Sequence, residues 1–419
     1  MKWKLRPLRS GTPWVLLFIL GFWVCATGVS SLAAQTSPSP WMKKVKQGVE
    51  KGFNLEEKEA LILLREALEM DRENPVPHAY LAFAHLFFYE LSFDEKDRQE
   101  RKSIMDRYIR QALVIAEKRI ETNPRDSEAY WGMAIAKLTL TRFYITERRY
   151  FAVAREARDV WECLEQVQAL SPENHDVYFP MGILHYHIDH LPGLTRFLSS
   201  LFLVSADRER GLKELELASQ RGYFFRELAQ AELVSIYTHF EKKPHLALPL
   251  AKALREKFPR NYNLLFSLAN LHSDLGRFPE ALALAREIEM GIQSGLPPYR
   301  KELWPRYHLT MGKILFDQGQ YEKAYPFFQR THQETARYNA RNRAWALVRL
   351  GMIHDLRKER EAAEKHYQAA LEIEGAEGVA QTLARKYLKS PYTGAEKNSL
   401  LSPSAEKKAE IGRGKGGSP

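Results

Sequence analysis

The sequence predicts an all-α chain of repeated antiparallel helix hairpins, and three observations predict it. Prolines after short polar runs recur in EMDRENPVPHAYLAFA (Pro75), ETNPRDSEAYWGMA (Pro124), ALSPENHDVYFPMG (Pro172) and EKFPRNYNLLFSLA (Pro259). Proline steers the residue before it away from the α region, so each break should end one helix and open the next. After each break comes a large residue, then a small one four further on: Tyr130 and Ala134, Tyr178 and Gly182, Leu265 and Ala269. Such a pair lets two helices approach closely while the bulky side chain fills the space beside them. The second helices carry ladders of their own, Ala281, Ala285 and Ile288, then Ala324, Phe328 and Thr331, then Ala363, Tyr367 and Ala370. Ala247 to Ala281 spans 34 residues, one repeat length.

Composition narrows the function. The 419 residues are 45% hydrophobic and 27% charged, which excludes a largely disordered or multi-span membrane protein. The formal charge of +10 falls to +6 once Lys2, Lys4, Arg6 and Arg9 are set aside. That excess is too diffuse for nucleic-acid recognition, so no nucleic acid is expected as a partner. Two cysteines exclude a disulfide framework and a Cys-built zinc module, and Cys163 in DVWECLEQVQAL reads as a small buried hydrophobe.

Residues 1–34 carry an address. Four cations precede an uncharged stretch from Gly11 to Met42, in which Trp14–Val24 is apolar apart from Gly21. Ser31, Leu32, Ala33 and Ala34 supply small residues for cleavage after Ala33 or Ala34. Two readings stay open: a cleaved secretory signal, or an uncleaved inner-membrane anchor over residues 14–34. Either places the protein in the periplasm or cell envelope. Cys25 follows the bulky Phe22, Trp23 and Val24, which a lipid-attachment site would not tolerate.

The hairpin pattern resembles the tetratricopeptide repeat, with its W-x2-L-G-x2-Y, A-x3-F-x2-A and final P over 34 residues. The best copy is NLLFSLANLHSDLGRFPEALALAREI (263–288), with Gly276 in the turn, followed by RYHLTMGKILFDQGQYEKAYPFFQ and RAWALVRLGMIHDLRKEREAAEKHYQAAL. The resemblance runs from about Leu55 to Glu374 and implies an α-solenoid that acts by binding, with no catalysis and no cofactor. Pro75 to Pro124 is 49 residues and Pro124 to Pro172 is 48, so longer hairpins are expected in the N-terminal half and standard ones after Gly222. The expected organisation is a signal or anchor (1–34), a linker and first helix (35–54), lengthened repeats (55–222), standard repeats (223–388) and a disordered tail (389–419), whose Pro, Ser, Gly and Lys bury too little apolar area to order it. The stretch from HYHIDHLPGLTRF to DRERGL is similar to one in a subgroup of exported bacterial tetratricopeptide proteins, which implies export without naming an activity.

His185, His187, Asp189 and His190 match H-x-H-x-D-H, the metal-binding segment of metallo-β-lactamase-like hydrolases, and would imply metal-activated water. That family sets the motif after a strand, and no alternating segments here build one. The repeat also accounts for the histidine. With His175, Tyr262 and Ala344 as first positions, His185, His272 and His354 all fall at position 11. No metal is therefore expected. Leu194–Val204 is read as a helix buried within the lengthened third hairpin, against an apolar patch for a partner.

In the resemblance, the first helix of each hairpin lines a concave face through positions 2, 5, 9, 12 and 13. These include Asn263, Phe266, Asn270, Arg306, Lys313, Phe316, Trp345 and Met352, the candidate contacts for a protein or peptide partner. The chaperone-binding members need a fuller Lys/Asn set, of which only Asn270 and Lys313 are present. The alternative is a periplasmic small-molecule or transporter-associated binder, which needs a closed apolar cavity. An uncapped terminal repeat exposes apolar surface and offers a route to homo-oligomers.

Overall fold

The computed structural model describes residues 38–187 and 207–394, and among them every regular element is helical. In chain order the helices are α1 (Pro40–Phe53), α2 (Glu57–Met70), α3 (Pro75–Leu91), α4 (Glu95–Thr122), α5 (Ser127–Thr146), α6 (Tyr150–Leu170), α7 (Tyr178–His187), α8 (Arg208–Arg221) and α9 (Arg226–His239). They continue as α10 (Pro244–Lys257), α11 (Tyr262–Asp274), α12 (Phe278–Ser294), α13 (Trp304–Asp317), α14 (Tyr321–Gln333), α15 (Ala340–Leu356), α16 (Arg360–Glu372) and α17 (Val379–Lys389). None is long and apolar enough to cross a membrane. The N-terminal address, Leu194–Val204 and residues 395–419 lie outside the described residues.

The breaks work as expected in one case and differently in three. Pro75 is the first residue of α3, beside an Asn74 side chain that accepts the Val76 N–H at 3.0 Å. Pro124, Pro172 and Pro259 sit instead in the turns before the next helix. There Asp126, Asn174 and Asn261 accept the Ala129, Asp176 and Asn263 N–H groups. Proline stops the helix, and a short polar side chain satisfies the orphan donors that start the next one.

The longer hairpins fall in the N-terminal half. Helices α3 to α6 run 17, 28, 20 and 21 residues, against 14 in α2 and α8 and 13 to 17 from α9 to α16. The small-against-large pairing is real: a Cβ on Gly351 would lie 2.5 Å from the Tyr367 ring, and one on Gly312 2.7 Å from Phe328.

The boundary expected at 222/223 is not a gap in packing. Phe225 is fully buried against Phe83, Trp131 and Phe179, at 5.9, 5.9 and 5.1 Å between ring centres. Counting from Pro75, Ser127 and His175, those three occupy positions 9, 5 and 5, so the inner face of the lengthened hairpins is filled by the chain itself. Asp176 holds this plug. Its buried carboxylate accepts the N–H groups of Tyr223, Phe224 and Phe225 at 3.1, 2.9 and 2.7 Å. Burial pushes the Asp176 carboxyl up, against the pull of those three donors.

The N-terminal helices among the described residues also meet the middle of the chain and its C-terminal repeats. Glu227 accepts from Lys46 at 2.6 Å and Lys257 at 2.7 Å, and Lys257 reaches Glu50 at 2.7 Å, tying α1 to α9 and α10. Asn261 donates to the Phe53 carbonyl at 2.6 Å, and Leu55 enters the core of Tyr262, Leu265 and Phe266. Phe93 packs edge-on to Tyr338 at 4.7 Å, and Arg148 pairs with Glu377.

Candidate partner-binding face

The candidate residues divide into those the fold consumes and those it leaves in reach of solvent. Asn263 at the start of α11 accepts from Arg306 Nη1 at the start of α13, at 2.5 Å, while the guanidinium lies 4.1 Å over the Phe266 ring. Burial pushes Arg306 down to about 10, the cost of holding a cation where, among the described residues, no carboxylate pairs with it. Two turns on, Lys313 donates to Asp274 and Asp317 at 2.7 Å each, and Ser273 Oγ donates to Asp317 at 2.7 Å. Burial works to lower Lys313, but the two carboxylates outweigh it and hold the ammonium above its usual range. Asp317 is lowered in turn, its burial outweighed by Lys313 and Arg349.

Three candidates are corrected. Phe266, Phe316 and Met352 are buried beneath other residues of the chain, so none is open to solvent. Phe266 lies beneath Arg306 and against the Leu55 cluster. Phe316 packs on Tyr321 at 5.0 Å and under Arg349 at 4.7 Å. The Met352 sulfur accepts from Arg349 Nη1 at 3.8 Å. Asn270, Lys313 and Trp345 remain half-buried on α11, α13 and α15, with Arg349 5.9 Å from the Trp345 ring.

Two residues here escaped sequence reasoning. Arg349 falls at position 6, outside the inner positions considered. Tyr392 falls in a stretch whose composition reads as disorder, yet it is buried, 6.1 Å from Phe316. The lone aromatic among Pro, Thr and Gly was the signal. The expected disorder is thus corrected for residues 390–394.

The histidine motif is not assembled as a shared site by the residues described. His185 Nδ1 meets Glu214 of α8 at 2.6 Å, whereas His187 Nε2 meets Glu232 of α9 at 2.8 Å. Asp189 and His190 lie outside the described residues. His185, His272 and His354 are all buried, as a packing position requires, and the same position of an earlier hairpin holds buried His85.

Residues 306–373, which make these contacts on α13 to α16, match the tetratricopeptide repeat family. The chain carries tetratricopeptide repeats over this stretch. Among solved structures, the human IFIT1 dimer with m7Gppp-AAAA is 15% identical, with 90% of this chain and 94% of that one covered, at a TM-score of 0.42. Yeast Tom70 is 11% identical over 88% and 99% of the two chains, at 0.26. The P58(IPK) TPR domain is 12% identical over 87% and 99%, at 0.19. No curated protein matches the sequence.

Proposed function

We propose that the protein is an exported scaffold that binds a protein or peptide on the inner face of its C-terminal repeats and supports a cell-envelope assembly. The observation that carries this is the row Asn270, Lys313 and Trp345, which reaches solvent on three successive hairpins between stretches the chain covers itself. An amide offers a donor and an acceptor to an extended backbone, and an indole offers area at low entropic cost. Recognition here is an equilibrium between preformed surfaces, with no covalent step. Export rests on the charge and apolar pattern of residues 1–34.

A small-molecule binder is less well supported. The half-open apolar recess between α1, α3 and α9, lined by Gly48, Val49, Phe53, Phe83, Phe87 and Leu228, holds about 30 Å³, room for one water. The test is affinity capture from crosslinked native envelopes, with the Asn270→Ala/Trp345→Ala double variant alongside. One abundant protein captured by the wild type and lost with the variant supports the scaffold. Equal capture moves the interface off this face, and capture of nothing by either chain sinks the reading.

A further inference from the structure

The inner face of α13 and α15 already holds an extended segment, and it is the chain's own. After α17 the backbone doubles back, and Tyr392 is 6% exposed, 6.1 Å from Phe316 and edge-on to Tyr387 at 5.3 Å. Its N–H donates to Asp355 Oδ2 at 2.8 Å. Asp355 is a prepared acceptor: its side chain is 1% exposed, fixed by Arg360 at 3.0 Å and by the Tyr367 hydroxyl at 2.8 Å. Gly394 then takes φ +78° beside Leu356, which ends the extended stretch.

We infer that this is a recognition site for an extended peptide bearing an aromatic side chain, with Pro391–Gly394 as its resident occupant. The inference rests on the inner-face reading above and names the partner's chemistry. Phe316, with Arg349 4.7 Å over its ring, supplies a flat surface and a cation, the pairing that favours an aromatic over an aliphatic anchor. Asp355 accepts one backbone N–H, so the anchor residue is not proline, and its charge disfavours an acidic side chain beside the anchor. The resident segment matches on every count: a proline before the anchor, a tyrosine at it, and no acid until Glu396. A partner binds by displacing it.

The test is fluorescence polarisation with a labelled peptide of residues 388–398, LKSPYTGAEKN. A tethered segment competes at an effective concentration on the order of a millimolar, so the free peptide should bind the wild-type chain at least about tenfold more weakly than a chain with the site vacated. Full-length Tyr392→Ala vacates it with the rest of the chain in place, and a chain ending at Lys389 vacates it outright. Both should show saturable binding with a Kd of about 0.1 mM or tighter, abolished when alanine replaces tyrosine in the peptide. Circular dichroism confirms that each is folded. If Tyr392→Ala is folded and binds neither peptide, the inference is overturned, while capture through Asn270 and Trp345 stands untouched. Peptide binding without any captured partner would sink the scaffold and leave this site.

Discussion

His85 on α3 is 3% exposed, and neither ring nitrogen has a hydrogen-bond partner. The ring stacks on Tyr108 of α4 at 6.1 Å, with Arg65, Arg101 and Arg107 facing it and Asp97 opposing them. Burial first, and then the three arginines, push its pKa down to about 4. An unfolded histidine titrates near 6.5. The folded value is the lower one, so the group's contribution is present above about 6.5 and lost as pH falls towards about 4. Those two values give a loss of ~2 kcal/mol between pH 7 and pH 5 from this residue alone. His85→Phe keeps the stacking and removes both the titration and the unpaired nitrogens. At pH 7 it should stabilise by about 1 kcal/mol, since a buried polar atom without a partner costs about that much or more. Urea unfolding of both chains at pH 7 and pH 5, followed by far-ultraviolet circular dichroism, measures the difference. The wild type should lose ~2 kcal/mol more than the variant. An equal loss, or a variant less stable at pH 7, would refute the reasoning.

Other outcomes follow from the same packing. Asp176→Ala strips the acceptor from three buried N–H groups and should cost about 3 kcal/mol or more in thermal unfolding, with a shift in emission from Trp131, whose ring lies 5.9 Å from Phe225. Gly351→Ala drives a methyl into Tyr367 and should cost about 1–3 kcal/mol in a urea titration; a neutral result would mean the hairpin can spread. Lys313→Ala leaves Asp274 and Asp317 without their cation and should cost about 3–5 kcal/mol, whereas Asn270→Ala should stay within about 0.5 kcal/mol. Cys163 is buried with its thiol pushed up to about 11, so a disulfide reagent at pH 8 should label it only as fast as the chain opens.

The hairpins were legible because what makes them is local. Gly351 and Tyr367 meet across one turn, and the recurrence of histidine at one position is a statement about neighbours. The inner face was not legible in the same way. Whether Phe266 is open or covered depends on Leu55 arriving there, which in turn depends on small rotations accumulated over many hairpins. No window of sequence carries that sum, so Phe266, Phe316 and Met352 read as accessible when they are core. Tyr392 was lost for the opposite reason. Its neighbours outweigh it in any average, yet a single ring with a place to go is enough to order a short stretch.

A row of hairpins that touch only their neighbours can shed end units one at a time. Here the Arg260 N–H donates to the Asn54 side chain across 206 residues, and Arg148 pairs with Glu377 across 229. Through Lys46, Glu50 and Phe53 as well, the first described helix is as much a part of the middle as of the N-terminal repeats. Trimming the chain through Leu55 would not shorten a ladder by a rung; it would strip cover from Tyr262, Leu265 and Phe266 half a chain away. Amides of α1 should then exchange with solvent in step with those of α11, so that the chain opens as a clasp does and not as a fraying rope.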